Sequence, residues 1–158
     1  MNVKELFDYD RTTGNLLWKV SRSRTAKVGH VAGSSNGNGY MAIKVSGILY
    51  FAHRLVWLWH YGEFPDGQID HINGIRNDNR IENLRDVTAS VNQQNQRNAR
   101  SNNKIGLLGV SYYKRDNNYV AQIQIDGKKK NLGNFHCPYE AHEAYLHAKR
   151  LIHAGCTI

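Results

Sequence analysis

The chain has 158 residues, 41% of them hydrophobic, and a formal net charge of +8. That length supports one domain or two small ones, and no apolar run approaches the roughly 18 residues of a membrane span. The opening "MNVKELFDYD" lacks the apolar stretch of a secretory signal, so a soluble, cytoplasmic protein with no membrane partner is expected. Charge is uneven along the chain. Residues 1–92 carry 11 Lys and Arg against 9 Asp and Glu, and residues 93–158 carry 10 against 4. The basic excess therefore lies in the C-terminal part, and a polyanion, nucleic acid first, is the natural partner.

In chain order, "TTGNLLWKV" reads as a turn at Gly14-Asn15 followed by a strand. A loose loop, "GSSNGNG", covers 33–39. "YMAIKV" then alternates, with Met41, Ile43 and Val45 on one face. Ser46-Gly47 turns the chain and "ILYFA" returns it as a hairpin. In "HRLVWLWHYG", Leu55, Val56, Leu58 and Trp59 have helical spacing, Gly62 stops the helix, and Trp57 and Trp59 read as core. "GQIDHI" and "NLRDVT" read as paired strands around a polar loop. Thr88 is placed to cap a helix beginning at Ala89.

Residues 92–104, "NQQNQRNARSNNK", are almost purely polar. Their first half continues a helix and their second half reads as a linker. Beyond it, "GVSYYKR" and "YVAQIQI" are strands, and Asp126-Gly127 turns into a third, "KKKNLGNF". Pro138 opens a helix and Gly155 closes it. Ala141, Ala144, Tyr145, Ala148, Leu151 and Ile152 form its apolar stripe. Cys137 and Cys156 lie outside any Cys-x-x-Cys spacing and read as buried thiols, not zinc ligands. His136, His142, His147 and His153 form no evident ligand set.

The chemistry concentrates in "IDHINGIRNDNRIENL", residues 69–84. Strand alternation sends Asp70 and His71 to opposite sides. Asp70 and Asn92 both offer oxygen ligands to one hard cation. His71, with an ordinary pKa of about 6.5, suits proton removal near neutrality. Asn73, Asn77 and Asn79 read as turn residues.

"DHINGIRNDNRIENL" followed by "TASVNQQNQRN" resembles the HNH endonucleases, in the phage and intron-encoded homing group whose last motif His is Asn. The resemblance extends through "AHRLVWLWHYGEFPDGQ", from about residue 40 to 98. It implies a ββα-metal (His-Me finger) fold, with His71 as general base, Asp70 and Asn92 as ligands of one Mg²⁺ or Mn²⁺, and Asn83 holding the loop so that His71 stays oriented. Arg54, in the "HRL" of this group, is expected to touch a phosphate or to partner Asp70, unless it only begins the helix.

The stretch from Gly109 to Lys149 is similar to the ethylene-response-factor type of DNA-binding domain, a three-stranded antiparallel sheet packed on one helix. That resemblance implies a sheet face in the major groove of double-stranded DNA. Ser111, Tyr113, Gln122, Gln124, Lys129 and Asn131 would form the face, and Lys114, Arg115, Lys128 and Lys130 would meet phosphates. The plant pattern of several Arg and Trp is missing from it.

The expectation is thus an α+β protein: a nuclease domain with a β-rich N-terminal extension over 1–98, a linker over 99–105, and a DNA-binding domain over 106–158. It acts as a monomer or weak dimer. The rival readings are a DNA-binding regulator with an inactive nuclease fold and an RNA-binding protein.

Overall fold

Phe7 and Trp18 explain how the N-terminal part begins. The computed structural model describes residues 1–158, in two units, Met1–Ala89 and Ser90–Ile158. The short helix α1 (Val3–Leu6) runs into strand β1 (Phe7–Asp10), which pairs antiparallel with β2 (Asn15–Trp18). The register sets Phe7 opposite Trp18, with ring centroids 4.7 Å apart. β1 escaped the reading of the sequence because its two aspartates hide the alternation. Asp10 is spent on the turn, accepting from the Thr12 amide and the Thr13 hydroxyl.

A second sheet holds β3 (Ser34–Ser35), β4 (Met41–Val45) and β5 (Ile48–Phe51), in that order. Helix α2 (Ala52–Tyr61) follows directly and ends at Gly62, whose φ of 83° is left-handed and whose N–H reaches the Leu58 carbonyl. Ala52, Leu55, Val56 and Leu58 turn one face of α2 into a core shared with Phe7, Leu16, Ile43 and Val45. Each of the larger of these side chains contributes about 1.5–3 kcal/mol on burial. Trp57 and Trp59 pack against that core, and the Trp59 indole N–H donates to the Phe7 carbonyl at 3.0 Å. Strands β6 (Gln68–His71) and β7 (Leu84–Val87) form a third sheet, with a 3₁₀ turn at Ile81–Asn83 just before β7.

The second unit opens with α3 (Ala89–Gln94), apart from its first residue, and contains β8 (Val110–Tyr113), β9 (Asn118–Ile125), β10 (Lys128–Phe135) and α4 (Pro138–Ile152). The sheet order is β10-β9-β8, all antiparallel. Ala141, Tyr145 and Ala148 of α4 share a buried cluster with Val110, Ala121 and Ile123. Leu151 and Ile152, expected in the apolar stripe, are exposed at 73% and 41%. Lys149 is buried in that last turn instead, its ammonium donating to the Gln96 carbonyl.

The expected linker over 99–105 lies within this unit. Its Asn103 side chain donates to the Leu107 carbonyl at 2.8 Å and accepts from the Ile105 amide at 2.9 Å. Upstream, Arg97 donates to the Thr157 hydroxyl and the Gln94 side chain accepts from the Gly155 amide. Polar composition hid these ties, because they run from side chain to backbone and leave no apolar periodicity. The chain as a whole is a mixed α and β protein of small antiparallel sheets and few helices. No helix is long and apolar enough to cross a membrane.

Candidate active site

The β6–β7 hairpin places Asp70 directly opposite Arg85, and His71 opposite Leu84. Arg85 uses both Nε (2.8 Å) and Nη2 (2.7 Å) on the same carboxylate oxygen, Oδ2 of Asp70. Arg85, not Arg54, is thus a partner of Asp70. The Arg54 guanidinium instead lies 3.4 Å from the carbonyls of Pro65 and Gly67, in the bend that enters β6, and 5.7 Å from the Phe64 ring. Asp86 holds the same bend by accepting from the amides of Asp66 and Gly67.

Asp70 and His71 are both buried, at 5% exposure each. Nε2 of His71 lies 3.0 Å from Oδ1 of Asn79, which is 1% exposed. An amide oxygen in that position accepts from Nε2–H, so the lone pair of this tautomer is on Nδ1. Burial pushes the His71 pKa below its ordinary value. The Asn79 bond and the charge of Asp70 act in the opposite direction.

Rings wall this imidazole. His53 meets it edge to face at 5.2 Å and 88°, Tyr40 lies 6.0 Å away, and Phe51 stacks on His53. His53 is itself held neutral, its pKa pushed down to about 3 by burial, with the charges of His71 and Arg54 adding to the effect.

The polar loop between the strands is bonded to itself. Asn83 accepts from the Asn73 amide (2.9 Å) and donates to the Asp78 carbonyl (2.8 Å), so one side chain spans the loop's mouth. Asn73 in turn donates to the Asp78 carboxylate and accepts from the Ile75 amide. Arg80 grips Asp78 with two bonds and holds its carboxyl down at about 2, with Asn73 assisting. The N-terminal hairpin supports the far side: the Tyr9 hydroxyl accepts from the Ile81 amide at 2.9 Å. Gly14, at φ +75°, packs so closely that a Cβ there would lie 2.3 Å from the Arg80 nitrogen.

Sequence reasoning missed Asn79, Arg85, His53 and Tyr9. Arg85 had a signal, since a hairpin through these two strands sets it across from Asp70. Asn79 had none that separates it from Asn73 and Asn77.

Asn92, the other expected ligand, stands on α3 in the second unit, whereas Asp70, His71 and Asn83 belong to the first. No three His, Cys, Asp or Glu side chains gather as a metal cage. Within the first unit the expected donor is the Asp70 carboxylate. That chemistry fits a hard cation that keeps water and phosphate oxygens for most of its shell. It also requires the cation to share Asp70 with the Arg85 guanidinium.

In the second unit, cross-strand pairing sorts the expected DNA-binding residues. Gln122 pairs with Asn131, Gln124 with Lys129, Ser111 with Val120, and Tyr113 with Asn118, so these side chains share the face away from α4. Tyr119, Ala121, Ile123 and Ile125 take the α4 side. Lys130 pairs with Ile123 and Lys128 with Ile125, which puts both lysines on the α4 side of the sheet, opposite to Lys129. Arg115 is paired with Asp116 at 2.9 Å, and Lys114 is exposed in the same turn. The Asn131 side chain accepts from the Gly133 amide at the β10 bulge.

Residues 50–94 match the family model described as HNH endonuclease. The matched span runs from the end of β5 through α2, the Asp70–His71 hairpin and α3. No curated protein and no solved structure matches the chain. The matched family is one of nucleases, and the match supports nuclease activity for this part of the chain.

Proposed function

We propose that the chain is a metal-dependent HNH endonuclease that hydrolyses DNA phosphodiester bonds, a site-preferring nicking enzyme of homing type directed to duplex DNA by residues 106–158. The observation that carries this reading is His71, a buried imidazole with lowered pKa, fixed by Asn79 beside Asp70 inside the span with nuclease likeness. Neutral at pH 7, His71 takes a proton from water as the water oxygen attacks phosphorus. The bond from phosphorus to the 3′ oxygen breaks, the leaving oxygen takes a proton from solvent, and a 5′-phosphate and a 3′-hydroxyl remain. Asn83 and Asn79 hold the loop and the ring, so the base needs no reorganisation when the water arrives.

Asp70 and Asn92 are the ligands that the resemblance assigns to one Mg²⁺ or Mn²⁺, which when bound supplies Lewis-acid stabilisation of charge on the phosphate and the leaving oxygen. One such centre cuts one strand, so a monomer nicks. The sheet face of Ser111, Tyr113, Gln122, Gln124, Lys129 and Asn131 is the proposed DNA surface, with Lys114 beside it. One observation favours the rival, a DNA-binding regulator with a silent nuclease fold: Arg85 already neutralises the carboxylate that would hold the cation.

Nicking of supercoiled plasmid decides between them. The wild type should nick with Mg²⁺ or Mn²⁺ and stop in EDTA. His71→Ala should lose about 10²- to 10⁴-fold in rate while DNA affinity stays within a few fold. Wild-type nicking by His71→Ala removes the base, full activity in excess EDTA removes the cation, and an inert wild type leaves the regulator.

A further inference from the structure

The second unit contains a groove of about 320 Å³ whose lining joins the end of the sheet face to the segment before the sheet. From the sheet come Gln122, Gln124 and Lys129. From the preceding segment come Gln93, Gln96 and Arg100. The lining is mostly polar, and Asp126 is its only carboxylate. Gln122 and Gln124 lie two residues apart on one strand face, and Lys129 is the cross-strand partner of Gln124. The side chains of Gln93, Gln122, Gln124, Arg100 and Lys129 form no hydrogen bond or ion pair within the chain, so their donors and acceptors remain available.

The segment that supplies the second wall is fastened. Lys149 holds the Gln96 carbonyl, Thr157 bonds both Arg97 and Asn95, Gly155 donates to Gln94, and Asn103 bonds the Leu107 and Val110 carbonyls. Gly155 is needed there, because a Cβ would lie 2.2 Å from the Val91 carbonyl oxygen. Gln93 and Arg100 stand exposed on this fastened backbone.

We propose that this groove takes one strand of duplex DNA, with Arg100 joining Lys129 on its phosphates and the Gln93 amide joining those of Gln122 and Gln124 on its base edges. A primary amide offers a donor and an acceptor side by side, the pattern that adenine presents in the major groove. Guanidinium and ammonium groups set the register on the backbone. The residues around 93–100 therefore act as a second DNA-contacting wall, not as a spacer. The inference rests on the proposed DNA-binding role of the sheet face and extends it to a segment outside the ethylene-response-factor likeness.

The test uses the full chain and a 25-base-pair duplex, with anisotropy titrations across a salt series for the wild type, Arg100→Ala, Gln93→Ala and Lys114→Ala. Arg100→Ala should lower the slope of log affinity against log salt by about 0.9, the release of one counterion, and weaken binding several-fold. Gln93→Ala should keep the slope and flatten the preference among duplex sequences. Both positions are exposed, so unchanged melting temperatures are expected. An unchanged slope in Arg100→Ala beside a lowered slope in Lys114→Ala overturns the groove and spares the DNA-binding reading. Unchanged slopes in both overturn the two together.

Discussion

His71 has its proton affinity set by opposing neighbours, and one of them can be altered without touching the ring. Burial lowers its pKa, and the Asn79 bond raises it. A base works only when neutral, so nicking should hold as pH falls through 6.5 and fail below it, at the lowered pKa. Asn79→Leu keeps the site apolar and removes the bond, so the acid limb of the rate profile should move to lower pH. Asn79→Asp places a carboxylate against the ring and should move the limb to higher pH. Both variants should lose up to about 10²-fold in rate through misplacement of the imidazole, with DNA affinity unchanged. Limbs that shift in the same direction in rate–pH profiles of the two variants would show that Asn79 does not tune the base.

The N-terminal hairpin of β1 and β2 reaches the loop between β6 and β7 through Gly14 and Tyr9, so a change far from His71 in sequence should be felt there. Gly14→Ala adds a methyl group where the Arg80 backbone already stands, at a left-handed φ. Thermal melts should show a loss of about 1–3 kcal/mol, and nicking should fall while DNA binding holds. Gly47→Ala is the control: it carries the left-handed strain alone, about 1–2 kcal/mol at φ +85°, but nothing lies within 4 Å of the added carbon, so it should leave nicking alone. Equal losses in the two would mean that the hairpin does not brace the loop. Strands β4 through β10, α2 and α4 were legible in the sequence, because alternation, Gly62, Asp126-Gly127 and Pro138 each have one local meaning. The placement of Asp70 and His71 on a hairpin strand was legible too. The choice of Asn79 over its neighbours was not, since loop asparagines differ only in which way the folded loop turns them. Lys149 was hidden because a buried cation follows from a distant carbonyl, whereas strand alternation alone set Lys129 apart from Lys128 and Lys130, as the register has them.

Across the whole molecule the positive charge is lopsided, with a balance of +2 over residues 1–92 and +6 over 93–158. Binding should be dominated by counterion release from the second half. If about six phosphates are neutralised, affinity should drop roughly a thousandfold between 50 and 200 mM salt, and titrations with a flat response would exclude backbone-driven association. The polar stretch after residue 98 looks on paper like the place to divide the protein into halves. The ammonium of Lys149 and the hydroxyl of Thr157 argue otherwise, because they fasten residues 95–97 to the far end of the chain. Expressing residues 1–98 alone would strand the helix bearing Asn92 without those anchors and bury nothing in their place. A nuclease fragment trimmed there should lie open to proteases near its new carboxyl end, and supplying residues 99–158 in trans should close that window.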